Sequence, residues 1–165
     1  MEGIGKITNV VTPIDFSENA QLVANSAAYV AASFNASLTL VFVVQNLEDY
    51  SGFFVPQMNL PELEQDLLTN AREKMAQFCD KNEGAYRELG MNALDSKVLV
   101  GDVAEQIVDY VAGREGCMVV MGTHGYKGLE RIMFGSVANK VVKLAPCPVL
   151  TINPYTCCGA CNEKD

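Results

Sequence analysis

Short apolar runs alternate with stretches whose apolar positions recur every three or four residues. Residues 7–12 are rich in β-branched side chains and stop at Pro13, the pattern of a short buried strand. Ala20, Val23, Ala24, Ala27, Ala31 and Phe34 then keep helical spacing, with Ser17 placed to cap the helix. Residues 38–44 form a nearly unbroken apolar run, as a parallel strand covered on both faces requires. Residues 45–60 hold neither period, and Ser51, Gly52 and Pro56 make a loop of them. Pro61 suits the first turn of the next helix, and Glu62, Glu64 and Asp66 suit its positive end. Leu63, Leu67, Ala71, Met75 and Phe78 are its apolar face, and the pattern weakens near residues 82–84.

Residues 96–100 read as a third strand closed by Gly101. Asp102 caps a helix carrying Ala104, Ile107, Val108, Val111 and Ala112, which ends at Gly113. A fourth strand is expected over residues 117–121. A glycine-punctuated loop runs from Gly122 to Gly135, Ser136 opens a helix through Ala145, and residues 148–152 make a fifth strand. Strands alternating with helices imply an α/β fold, its strands paired in parallel through right-handed crossovers. One domain is expected over residues 1–154, with 155–165 a cysteine-rich flexible tail that lacks apolar periodicity.

Composition narrows the function. The chain has 165 residues, 12 Lys plus Arg against 20 Asp plus Glu, a net charge of −8 and a single His. An acidic chain with no basic stripe is a poor binder of nucleic acid or of anionic membranes. No apolar run approaches the roughly 18 residues of a membrane span, and the first residues carry no secretory signal pattern. The expected location is therefore the cytoplasm, where the six cysteines would remain thiols. Cys158-Gly159-Ala160-Cys161, preceded by Cys157, has the C-x-x-C spacing of zinc and redox sites. No second such pair exists, and spare thiols on a tail are the simpler reading. Cys147, between two prolines, is read as a packing residue.

An open parallel sheet binds ligands beyond the C-terminal ends of its strands. Residues 13–17, 100–102 and 122–125 arrive there. Gly122 and Gly125, followed by Gly135-Ser136 at a helix start, suit a phosphate. Glycine allows positive φ and close backbone approach, and a helix N-terminus offers amides and partial positive charge. Gly122 and Gly125 could equally make turns, with Ser136 only a cap. Asp15 is either a ligand contact or a turn residue. His124 is either a general base or phosphoryl acceptor, or a polar loop residue offering its backbone N–H. Lys127 and Arg131 would neutralise a γ-phosphate or simply be solvated, and Phe53, Phe54 and Val55 would cover the domain's own core, form a lid over a ligand or make an interaction patch.

Neither a Walker loop nor a G-x-G-x-x-G fingerprint is present. The spacing G-x2-G-x9-G-S, with Pro13-Ile14-Asp15-Phe16-Ser17 and the closing stretch from Gly135 to Leu150, resembles the universal stress protein family. The resemblance spans roughly residues 5–153. It implies a single open five-stranded parallel sheet of order 3-2-1-4-5, Rossmann-like, with helices on both faces. It also implies binding of ATP with Mg (or Mn). Gly122, Gly125, Gly135 and Ser136 would hold the phosphates, Asp15 would lie near the ribose and a phosphate-bound metal, and Val43 against adenine. Pro13, Gly101, Met121, His124 and Val137 complete the expected contact set. The family's Gly-x-Pro after the third strand is here Gly101-Asp102-Val103. A homodimer through the fifth strand, by Val149, Leu150 and Ile152, is also implied. The resulting expectation is a nucleotide-dependent stress-response regulator. Two alternatives stand beside it: a slow ATPase or self-phosphorylating enzyme using an Asp15-associated metal, and a nucleotide-free interaction module.

Overall fold

A computed structural model describes residues 5–45, 60–124 and 135–155. The elements run β1 (Asn9–Pro13), α1 (Ala20–Ser33), β2 (Ser37–Val44), α2 (Leu60–Glu88), β3 (Leu94–Val100), α3 (Val103–Ala112), β4 (Cys117–Gly122), α4 (Ser136–Leu144) and β5 (Val149–Ile152). The five strands form one sheet of order β3-β2-β1-β4-β5, and every pairing is parallel. The expected architecture is therefore the observed one. The switch in winding direction falls between β1 and β4, and it is outside the C-terminal ends of the strands at such a switch that open α/β sheets take ligands.

Alternation along the strands divides the core in two. Val10, Leu38, Leu40 and Val120 face α1 and α2, where they meet Ala24, Ala27, Ala28, Ala31, Met75 and Tyr86. Val11, Val41, Val43, Val119 and Met121 face α3 and α4, where they meet Ala104, Ile107, Val111, Ala138 and Val141. This is why β2 reads as an apolar run: both of its faces are covered. The alanine stripe of α1 keeps that helix close to the sheet, since five of its six buried side chains are single methyl groups and the sixth is Val23.

Three local expectations are corrected. Ser17 does not cap α1. The N-cap is Asn19, which makes no side-chain cap hydrogen bond. The Ser17 amide instead donates to Asp15 Oδ1 at 3.0 Å. The carboxylate two residues back captures it in a local turn, a preference of Asp that competes with helix capping. Next, α2 does not weaken at residues 82–84 but continues to Glu88. Asn82 is buried rather than solvated, its amide donating to the Phe78 carbonyl at 2.7 Å and its Oδ1 accepting from Gln21 of α1 at 2.7 Å. One turn on, the buried Tyr86 donates to Asn25 at 2.8 Å. Burial pushes the Tyr86 phenol up to about 12. A polar α1–α2 contact thus holds the last turns of α2. Finally, β3 starts at Leu94, two residues early, as an edge strand with alternating exposure.

The expected loop over residues 45–60 and the cysteine-rich tail lie, but for Gln45, Leu60 and Tyr155, outside the described residues, as do Gly125, Lys127 and Arg131. Among the described residues no helix is long and apolar enough to cross a membrane.

Candidate functional site

At the end of β1 the chain leaves through Pro13 and Ile14, whose amide donates to the Val41 carbonyl at 2.9 Å and continues the ladder with β2. Asp15 follows, held by the Ser17 amide. Phe16 takes a left-handed backbone conformation, φ 56°, unusual for an aromatic residue. Its ring packs on Phe42 with centroids 4.8 Å apart, and that contact on the α1–α2 side anchors the turn. The half-buried Asp15 is thus fixed at the C-terminal end of β1 by a turn whose hydrophobic peg lies in the core.

On the β2–β3 side the Gly101 amide donates to the Val44 carbonyl at 2.9 Å. Its φ of +136° is a conformation that L side chains rarely adopt, so glycine is required at this corner. Asp102 then caps α3, accepting from the Glu105 amide at 3.0 Å. The helix start is thus capped although Val103 lacks the fixed φ that a proline would have there. Asp102 also lies 3.6 Å from Lys140 Nζ of α4, an exposed pair of small energetic weight.

The β4 side carries the most built part of the site. The Gly135 amide donates to the Thr123 carbonyl at 2.8 Å, so the chain leaves after His124 and returns to the residue it left beside. The Thr123 amide donates to the Ile152 carbonyl at 2.8 Å, tying this corner to β5. Neither Gly122 nor Gly135 has positive φ, so the expected conformational role is not theirs. Close approach is: a Cβ on Gly135 would lie 2.9 Å from the Thr123 carbonyl oxygen. Gly135 is the N-cap of α4 and has no side chain to close its first turn. The amides of Ser136 and Val137 therefore begin a helix with no side-chain cap, in contrast to the Asp102-capped α3.

Met121 and Val43 are buried in the cluster beneath α3 and α4, and Val137 packs against it. Their side chains belong to the core, which leaves their backbone to any ligand. His124 Nδ1 lies 2.8 Å from Thr123 Oγ1. Its ring meets that of Tyr155 edge-on, centroids 5.2 Å apart. Two buried polar atoms at this pole, Thr12 Oγ1 and His124 Nε2, have no hydrogen-bond partner among the described residues. The structure thus places Pro13, Asp15, Gly101, Gly122, His124, Gly135, Ser136 and Val137 at the C-terminal end of the sheet. Thr123 and Tyr155 escaped the sequence reading. A threonine acting through its backbone carries no motif, and Tyr155 was assigned to the tail.

The model of the universal stress protein family matches residues 6–153. The chain belongs to this family. A universal stress protein of Methanocaldococcus jannaschii is 34% identical over 144 residues, covering 87% of this chain and 80% of that protein. The structure of universal stress protein UspA from Lactobacillus plantarum is similar, with a TM-score of 0.73 and 26% identity over 90% of this chain and 99% of that one. The universal stress protein fold is shared by more distant solved structures. One, from Archaeoglobus fulgidus, is in complex with dAMP (TM-score 0.60, 22% identity, 90% of this chain and 100% of that one). Another is in complex with cAMP (TM-score 0.60, 18% identity, 91% and 99%).

Proposed function

We propose that this universal stress protein binds ATP at the switch point between β1 and β4 and acts as a nucleotide-dependent stress-response regulator. The observation that carries the reading is the uncapped N-terminus of α4, brought back to Thr123 beside the β1 end. First-turn amides that receive no side-chain cap, together with the helix dipole, favour an anion there, and the α/β switch point is where such folds take ligands. Two buried polar atoms without described partners at the same pole suit a polar ligand. The complexes of distant family members with dAMP and cAMP support an adenine nucleotide as the ligand.

In this reading the Ser136 and Val137 amides and the Ser136 hydroxyl hold phosphate, with Gly122 and Gly125 letting backbone approach it. Asp15 lies near the ribose and a Mg (or Mn) ion carried by the phosphates, which would offset their charge. Backbone near Val43 reads adenine. Binding rather than turnover is proposed. The described partner of His124 Nδ1 is a neutral hydroxyl, and no described carboxylate orients the ring as a base. The protein works as a homodimer through β5, an edge strand whose Leu150 is 39% exposed. Titration calorimetry with Mg-ATP and Mg-GTP tests the proposal. One ATP site per chain with weaker GTP binding is expected, and absence of binding by either rejects it.

A further inference from the structure

The opposite pole of the sheet carries a separate feature. An open groove of about 1050 Å³ lies at the N-terminal ends of the strands, and its lining includes Lys6, Arg114, Cys117 and Cys147. Cys117 is the first residue of β4. The parallel register Val119↔Val149, carried back two residues, sets Cys147 beside Cys117. The Val119 amide donates to the Pro148 carbonyl at 2.9 Å, so the ladder already reaches the residue after Cys147. Residues two apart on a strand share a face, and both sulfurs accordingly belong to the cluster beneath α3 and α4. Both are free thiols. Neighbouring strands lie about 4.7–4.9 Å apart, within the Cα separations of roughly 4.4–6.8 Å that disulfides span.

We propose that Cys117 and Cys147 form a cross-strand dithiol, a modification site that a hydroperoxide converts to a disulfide. Cys147 is half-buried at the groove, whereas Cys117 is 3% exposed. Cys147 therefore meets the oxidant and Cys117 closes the bond. The Cys147 sulfur attacks one peroxide oxygen: an S–O bond forms, the O–O bond breaks, and the leaving alkoxide or hydroxide departs with the thiol proton. The product is a sulfenic acid. The Cys117 sulfur then attacks that sulfur, forming the S–S bond and expelling hydroxide, which takes the Cys117 proton and leaves as water. Two thiols lose two hydrogens in all, and the hydroperoxide is reduced by two electrons to an alcohol (or water) and water. Burial pushes both thiols up. For Cys117 the Asn9 hydrogen bond and the Arg114 guanidinium pull the other way without reversing the rise. The bond would pin the edge strand β5 to β4 at the pole away from Thr123, and it stands whether or not a nucleotide binds.

Peptide mapping tests this on the full chain. Reduced protein is treated with hydrogen peroxide, remaining thiols are alkylated, and the protein is digested without reductant. The tryptic peptide carrying Cys147 also carries Cys157, Cys158 and Cys161. The experiment is therefore run in parallel on the chain with those three replaced by serine. The expected product joins the Cys117 and Cys147 peptides, lighter by two hydrogens than their sum, in both proteins. It should be lost after dithiothreitol and lost in Cys147→Ser. Cys147→Ala serves in place of Cys147→Ser if circular dichroism shows that variant unfolded. Absence of the linked pair in the tail-serine chain overturns the proposal. So does Cys147 linked to a second copy of itself, or Cys117 linked to Cys79.

Discussion

Placing a carboxylate at the start of α4 separates a phosphate site from a mere helix start, because the two respond with opposite signs. Ser136 is exposed, is the first residue of α4, and follows a glycine N-cap that makes no side-chain bond. In Ser136→Asp the new charge meets the positive end of the helix dipole, which stabilises the free protein by about 0.3–1 kcal/mol. Bound phosphate would feel the same charge as repulsion. Two unit charges 4 Å apart interact by about 1 kcal/mol at the dielectric of water and about 4 kcal/mol at an effective dielectric of 20. An exposed position lies toward the weaker limit. ATP affinity should therefore fall at least about fivefold and at most about a thousandfold, with 1.4 kcal/mol per factor of ten. Ser136→Ala, which removes only a hydroxyl, should weaken binding far less. Calorimetry measures the affinity and thermal melting without nucleotide measures the stability. Unchanged ATP affinity in a Ser136→Asp protein that melts at or above the wild-type temperature would refute the phosphate assignment.

The crowding at Gly135 makes Gly135→Ala a fold variant: its Cβ would stand 2.9 Å from the Thr123 carbonyl oxygen. Overpacking of this kind costs about 1–3 kcal/mol, to be read as a lower melting temperature without ligand. Tyr86→Phe deletes the hydroxyl that bonds Asn25 and should cost about 0.5–1.5 kcal/mol. The same residue sets a pH dependence. Its folded pKa of about 12 exceeds the ordinary 10.0, so its contribution is complete below pH 10 and is lost as pH rises toward 12. Denaturant titrations of wild type and Tyr86→Phe should then converge across that interval, and parallel curves would count against the burial of the phenol. Leu150→Lys, on the exposed edge of β5, should shift sedimentation toward monomer; a wild type that is monomeric at micromolar concentration contradicts the dimer.

What the sequence made legible was whatever local chemistry dictates alone. The β2 run announced a strand buried on both faces, Asp102 announced the α3 cap, and Gly101 announced the corner that closes β3, though not its positive φ. Features set by tertiary contact were hidden. Asn82 and Gly84 read as the end of a helix because nothing local shows that Asn82 will bond Gln21 across the α1–α2 contact, 61 positions away. The Ser17 amide goes to Asp15 Oδ1, in a turn that the Phe16 ring anchors on Phe42, and no local pattern shows that contact. The glycine spacing was read for positive φ and for close approach to a ligand; Gly135 has no positive φ, and the close neighbour that the structure shows is the Thr123 carbonyl. Tyr155, opposite His124, had no periodicity to give it away.

The most direct measurement is a crystal structure of the full chain grown with Mg-ATP. The account predicts phosphate density on the amides of Ser136 and Val137 at the start of α4, with the adenine toward Val43 and the ribose beside Asp15. Phosphates bound elsewhere, or protein saturated with ATP in solution but with an empty α4 N-terminus in the crystal, would contradict it.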